Sequence, residues 1–84
     1  MSVPLLVDVR KAACELEKLR LLSARLNREL FEQCCRFQHD ATSVDLESLA
    51  TLSGRTREAE RRKRVLENLL ELQANFAAVA GQKQ

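Results

Sequence analysis

Hydrophobic residues recur along the first half of the chain at alternating steps of three and four residues. The stripe begins at Leu5 and ends at Phe37, and Ser23 and Gln33 are its two polar positions. This spacing places one apolar stripe on one side of an α-helix. No Gly or Pro interrupts it, so the sequence predicts one helix over residues 5–38. The stripe consists of Leu5, Val9, Ala12, Leu16, Leu19, Leu26, Leu30 and Phe37.

The predicted start of this helix lies near the beginning of the chain. Ser2 offers a hydroxyl as N-cap, and Pro4 stands within the first turn, where its missing N–H costs nothing. Asp8 is then expected about one turn inside the helix, where a carboxylate interacts favourably with the helix dipole.

Helical spacing resumes after the polar segment 39–43, which predicts a connecting loop. Thr42 or Ser43 is the predicted N-cap of the next helix, with Asp45 as a capping-box-like partner. A second stripe continues across Gly54 and predicts one helix over residues 44–80, with Gly54 as a candidate bend. The alternative is a helix over 44–52 followed by another from residue 55, because an interior Gly costs about 1 kcal/mol relative to Ala. The stripe consists of Leu49, Leu52, Thr56, Ala59, Lys63, Leu66, Leu70, Gln73, Ala77 and Ala80.

Two helices of similar length joined by a short loop predict an all-α fold, an antiparallel helical hairpin of coiled-coil type. Residues 1–84 form one predicted domain, with residues 81–84 as a frayed tail. The fold-back point near Ala41 places Cys34 near Leu49 and Leu16 near Leu66. The middle of the interface is predicted to be its weakest part, because Ala59 alone is apolar within residues 57–61.

Both predicted helices carry further apolar residues outside this seam. On the first helix these include Ala24, and on the second helix Val65 begins another stripe beside the seam. A helix that is apolar on two sides is usually buried on two sides. The sequence therefore predicts assembly into a multi-helix bundle, as a homodimer or with helices of partner proteins. The predicted partner-binding residues are Val7, Cys14, Leu21, Phe31, Cys35, Leu69, Leu72, Phe76 and Val79.

The densest charge lies in residues 55–64, called the basic segment below, which hold six basic and two acidic residues. Neighbouring opposite charges at helical spacing favour a solvated, self-paired surface. The alternatives are a docking site for an acidic partner or a nucleic-acid surface, which is less favoured because no aromatic residue accompanies the charges. The basic patch consists of Arg55, Arg57, Arg61, Arg62, Lys63 and Arg64.

The composition indicates neither an enzyme nor a metalloprotein. Aromatic residues make up 4% of the 84 positions, and no catalytic constellation is present. Cys35 and His39 lie one turn apart but supply two ligands, whereas a structural zinc site needs four. Cys14 and Cys35 are interpreted as small apolar residues, and no cofactor or metal is expected. Three cysteines without framework spacing, and the lack of a signal peptide or membrane-spanning run, predict an intracellular protein, cytoplasmic and cytoskeleton-associated or nuclear.

The sequence as a whole thus favours a structural subunit over an enzyme. Its helices are expected to pair with themselves or with partner helices in an assembly of cytoskeletal, centrosomal, kinetochore or tethering type. The alternative function is nucleic-acid binding through the basic segment.

Overall fold

The computed structural model describes residues 8–82, which form two long α-helices joined by a short turn. Helix α1 spans Val9–His39, a 3-10 turn spans Ala41–Ser43, and helix α2 spans Leu46–Gln82. The helices pack against each other in a rod with principal extents of 65 × 18 × 16 Å. The described residues contain no strand, and the predicted all-α antiparallel hairpin is confirmed.

Helix α1 begins later than the sequence suggested. Asp8 has extended backbone angles, its carboxylate accepts from the Lys11 N–H at 3.1 Å, and its carbonyl accepts from the Ala12 N–H at 2.8 Å. Asp8 is therefore the N-cap itself, and the prediction that it lies one turn inside the helix was wrong. A carboxylate at this position satisfies one of the free N–H groups of the first turn. Ser2 and Pro4 lie outside the described residues.

The connection is built by two aspartates rather than by the hydroxyls predicted to cap α2. The Asp40 carboxylate accepts from the N–H and the hydroxyl of Thr42, which closes the 3-10 turn. The Asp45 carboxylate accepts from the Glu47 N–H at 3.2 Å and from the Ser48 hydroxyl at 3.0 Å. The cap of α2 is thus Asp45, and the prediction of Thr42 or Ser43 was wrong.

Helix α2 runs without interruption through Gly54, so the alternative of two shorter helices was wrong. A Cβ placed on Gly54 meets no atom within 4 Å, so the glycine is not required by any close approach. The helix also passes Gly81 and ends at Gln82, two residues beyond the predicted end at Ala80. Lys83 and Gln84, the rest of the predicted tail, lie outside the described residues.

The intramolecular interface follows the predicted seams. On α1, Ala12, Leu16 and Leu26 are buried, while Val9 and Phe37 at its two ends are exposed. On α2, every seam residue except Ala77 is buried or half-buried. Burial of these apolar side chains is the main force that holds the two helices together.

No helix within residues 8–82 is long and apolar enough to cross a membrane.

Candidate interaction surfaces

The outward side of α1 carries a stripe of exposed residues, named here the α1 outer stripe. Leu21 is 66% exposed and Phe31 is 69% exposed, the two highest values among the exposed large hydrophobic residues described. Of the other predicted partner-binding residues on this helix, Cys14 is exposed and Cys35 is half-buried, whereas Val7 lies outside the described residues. With its polar members the stripe consists of Cys14, Glu17, Leu21, Ala24, Arg28 and Phe31, all exposed.

Two members of this stripe, Glu17 and Arg28, are charged and were not predicted as site residues. Neither has an ion-pair partner among residues 8–82. Their spacing of three and four residues from Leu21 and Ala24 places them on the same helical face. This periodicity is present in the sequence, but a stripe that is defined by apolar residues alone omits its charged members.

The last five turns of α2 carry the second surface, named here the α2 outer stripe. Leu72, Phe76 and Val79 are between 42% and 50% exposed, Val65 is exposed as well, and Leu69 is half-buried. The five residues alternate at steps of four and three, so they form one continuous strip beside the intramolecular seam. No charged side chain belongs to the strip, and the structure brings together the four partner-binding residues predicted on α2.

A polar cluster crosses the middle of the hairpin, where the sequence predicted a weak contact. The Ser23 hydroxyl, 2% exposed, donates a hydrogen bond to the Glu60 carboxylate of the opposite helix. The Asn27 amide donates to the same carboxylate at 3.2 Å, and the Lys63 ammonium lies 3.1 Å from its other oxygen. The Ser23 hydroxyl, followed by Lys63, holds the pKa of Glu60 below its usual range.

This cluster favours one alignment of the two helices. A slip of either helix separates Ser23 from Glu60 and removes the acceptor to which the buried hydroxyl donates, so that the Asn27 amide of its own helix remains as its hydrogen-bond partner. Polar residues inside an apolar seam specify register in coiled coils in the same way. From the sequence alone, Ser23 was interpreted as an interruption of the seam. The predicted register that places Cys34 near Leu49 also places Ser23 near Glu60, so the signal for this contact was present in the sequence.

The basic segment is partly neutralised by its own carboxylates. Glu58 accepts from Arg61 at 2.8 Å and from Arg62 at 3.1 Å. Hydrogen bonds from these two guanidinium groups lower the pKa of Glu58 to about 2. The remaining arginines of the patch, Arg55, Arg57 and Arg64, have no ion-pair partner within residues 8–82.

Three arginines of the patch nevertheless share one side of α2. Arg57, Arg61 and Arg64 are spaced four and three residues apart and line one open groove together with Glu60 and with Asn27 of α1. The groove presents these guanidinium groups and the amides of Asn27 and Asn68 beside the Glu60 carboxylate. The guanidinium groups suit carboxylate or phosphate ligands, whereas the Glu60 carboxylate repels them.

The cysteines do not take part in a recognisable metal centre. Cys34 is exposed and Cys35 is half-buried beside it. Within residues 8–82, no three histidine, cysteine or acidic side chains lie close enough together to hold a metal ion.

Comparisons of the chain with protein-family models, with curated proteins and with solved structures give no match. The two outer stripes, the polar cluster and the basic segment are therefore the features on which a functional proposal rests.

Proposed function

We propose that this chain is a structural subunit that assembles through its two outer stripes. Its helices pack against those of a second copy or of partner subunits and complete a multi-helix bundle. One observation carries the proposal: both helices present exposed apolar residues in addition to the seam that holds the hairpin together. On α2 they follow three-and-four spacing, and on α1 they do so together with the charged residues Glu17 and Arg28.

The physical reason is the size and shape of the molecule. A two-helix hairpin covers one stripe per helix and leaves the other sides in water. Exposed hydrophobic residues that stand singly are ordinary, but contiguous apolar strips mark surfaces that bind other proteins. A helix from another chain, with the same spacing, is the partner whose side chains interlock with such a strip.

The polar cluster supports the same role. A scaffold subunit must present its outer residues at fixed heights along the rod. The hydrogen bond from Ser23 to Glu60 holds α1 and α2 in one register, so the two outer stripes keep a constant position relative to each other.

The test is the oligomeric state of the full chain, measured by sedimentation velocity over a range of concentrations. The wild-type chain is expected to self-associate or to need a partner for solubility, and Leu72→Glu should weaken assembly through the α2 outer stripe. Ala78→Glu is the matched control, because it adds the same charge at an exposed position outside the stripe. A well-dispersed monomer at high micromolar concentration, unchanged by Leu72→Glu, would contradict the proposal.

The groove lined by Arg57, Arg61 and Arg64 supports a second candidate function, nucleic-acid binding. Binding through phosphates weakens steeply with salt, and replacing Arg57 and Arg64 by Ser should lower the affinity and the steepness of that dependence. Fluorescence anisotropy with duplex DNA and duplex RNA measures both. No detectable binding at low salt rules this function out.

A further inference from the structure

The α1 outer stripe is symmetric about one point on the helix. Leu21 and Ala24 lie at equal distances on either side of a point between Leu22 and Ser23, and Glu17 and Arg28 lie at equal distances further out. Cys14 and Phe31 form the outermost pair of this arrangement. All six side chains are exposed, and at a rise of 1.5 Å per residue the stripe is about 26 Å long.

We propose that the α1 outer stripe binds the same stripe of a second copy of this chain, with the two α1 helices antiparallel around a two-fold axis. The inference rests on the proposed function and names its partner. A two-fold axis through this point, perpendicular to the helix, brings each residue of the stripe level with the residue of the other copy that lies at the same distance on the other side of the point. Glu17 then lies opposite Arg28 of the second copy, and Arg28 lies opposite Glu17.

The charges of the stripe favour this partner over an unrelated helix. Glu17 and Arg28 are the two charged members, they have opposite signs, and within one chain the structure leaves both without an ion pair. Antiparallel pairing joins them across the interface twice. Parallel pairing places Glu17 against Glu17 and Arg28 against Arg28, which is repulsive.

The sizes of the apolar residues match in the same register. Leu21, a large side chain, meets Ala24 of the second copy, and Phe31 meets Cys14. Each contact therefore combines one large and one small side chain, which lets two helices approach closely without a void or a clash. Steric fit and charge thus select the same antiparallel alignment.

Among the residues that border the stripe, one pair brings two positive charges together across the interface. Lys11 lies close to Glu32 of the second copy, which is attractive, whereas Lys18 lies close to Arg25 of the second copy. The Lys18 ammonium lies 3.5 Å from the Glu15 carboxylate of its own helix, and this ion pair offsets part of the repulsion. Because the contact is short and carries this repulsion, we expect a dissociation constant on the order of micromolar.

The test is a charge exchange across the interface, measured by sedimentation equilibrium of the full chain. Glu17→Lys alone and Arg28→Glu alone should each raise the dissociation constant of the dimer about tenfold, because every substitution acts twice in a two-fold dimer. The double variant restores the opposite pairing and should return the dissociation constant to within about threefold of the wild-type value. Glu71→Lys is the control for charge, since it makes the same change outside both outer stripes.

The outcomes separate this inference from the broader proposal. If the chain dimerises and the single and double variants bind equally well, the α1 interface is wrong. Loss of that dimer in Leu72→Glu then assigns assembly to the α2 outer stripe and leaves the proposed function standing. If the wild-type chain remains a monomer at high micromolar concentration, pairing with a second copy is overturned. Circular dichroism verifies that each variant stays helical, as expected for exposed positions.

Discussion

The residues on the two sides of α1 recur at the same three-and-four spacing, but one side packs against α2 and the other is exposed. On the inward side, Leu26 is buried against α2 and the polar residue Ser23 is bonded to Glu60. On the outward side, Leu21 is exposed and the polar residue Glu17 has no ion-pair partner within residues 8–82. Periodicity alone predicts both sides to be contact surfaces. The state of the polar residues shows which surface the chain covers by itself and which remains available.

The largest expected difference between the two sides concerns stability. Leu26→Ala removes a side chain that is 3% exposed and leaves a cavity, so the free energy of unfolding should fall by about 2–4 kcal/mol. Leu21→Ala removes the same type of side chain from the outward side and should change the free energy of unfolding of the monomer by less than about 0.5 kcal/mol. Urea unfolding followed by circular dichroism at low protein concentration measures both.

Protein concentration sharpens this comparison. If Leu21 lies in an interface between chains, Leu21→Ala should become destabilising as the concentration is raised, because association stabilises the folded state by mass action. Leu26→Ala should be destabilising at every concentration. Equal effects of the two substitutions in the dilute monomer would show that α2 does not bury the inward side of α1 more than the outward side.

An effect of intermediate size is expected at Gly54, an exposed position on α2. Gly54→Ala should raise the free energy of unfolding by about 1 kcal/mol, because the added Cβ meets no atom within 4 Å and Ala has the higher helix propensity. Gly81→Ala is the matched control: its Cβ is equally unobstructed, but it lies in the last turn, where the gain should be smaller. A loss of stability in Gly54→Ala would indicate that this position is covered in solution.

Most of the fold could be predicted from the sequence because it depends on periodicity. The seams of α1 and α2 follow from the repeat of apolar residues, and the stripe that crosses Gly54 correctly indicated a continuous second helix. The ends of the helices were less predictable, since Ser2, Thr42 and Ser43 suit an N-cap as well as Asp8 and Asp45 do. Which candidate caps the helix depends on backbone angles that composition does not specify.

The candidate interaction surfaces could be predicted only in their apolar part. Leu21, Phe31 and Leu72 were recognisable as surplus hydrophobic residues, and the structure places them on the outside. The polar cluster could not be predicted from one helix, because the role of Ser23 depends on Glu60 of the other helix. The role of a charged or hydroxyl side chain depends on the residue opposite it on the other helix, and the spacing along a single helix does not identify that residue.

The smallest expected effect tests this polar cluster through its pH dependence. The pKa of Glu60 is lowered from 4.5 in the folded chain by the Ser23 hydroxyl and then by Lys63. A lowered pKa means that the stabilising contribution is present above pH 4.5 and is lost as the pH falls through the folded value. At neutral pH, Glu60→Gln should therefore be less stable than the wild type by less than about 1 kcal/mol.

Below pH 4.5 this difference should shrink, because protonation removes the charge of Glu60 from the wild type as well. Thermal unfolding between pH 7 and pH 2.5 measures the stability of the wild type and of Glu60→Gln as a function of pH. Glu71→Gln is the control for the loss of one negative charge, because Glu71 is exposed and lies outside both outer stripes. Parallel curves for the wild type and Glu60→Gln would mean that the carboxylate does not hold the register. A converging pair shows that the ionised carboxylate of Glu60 stabilises the hairpin through its contacts with Ser23 and Lys63.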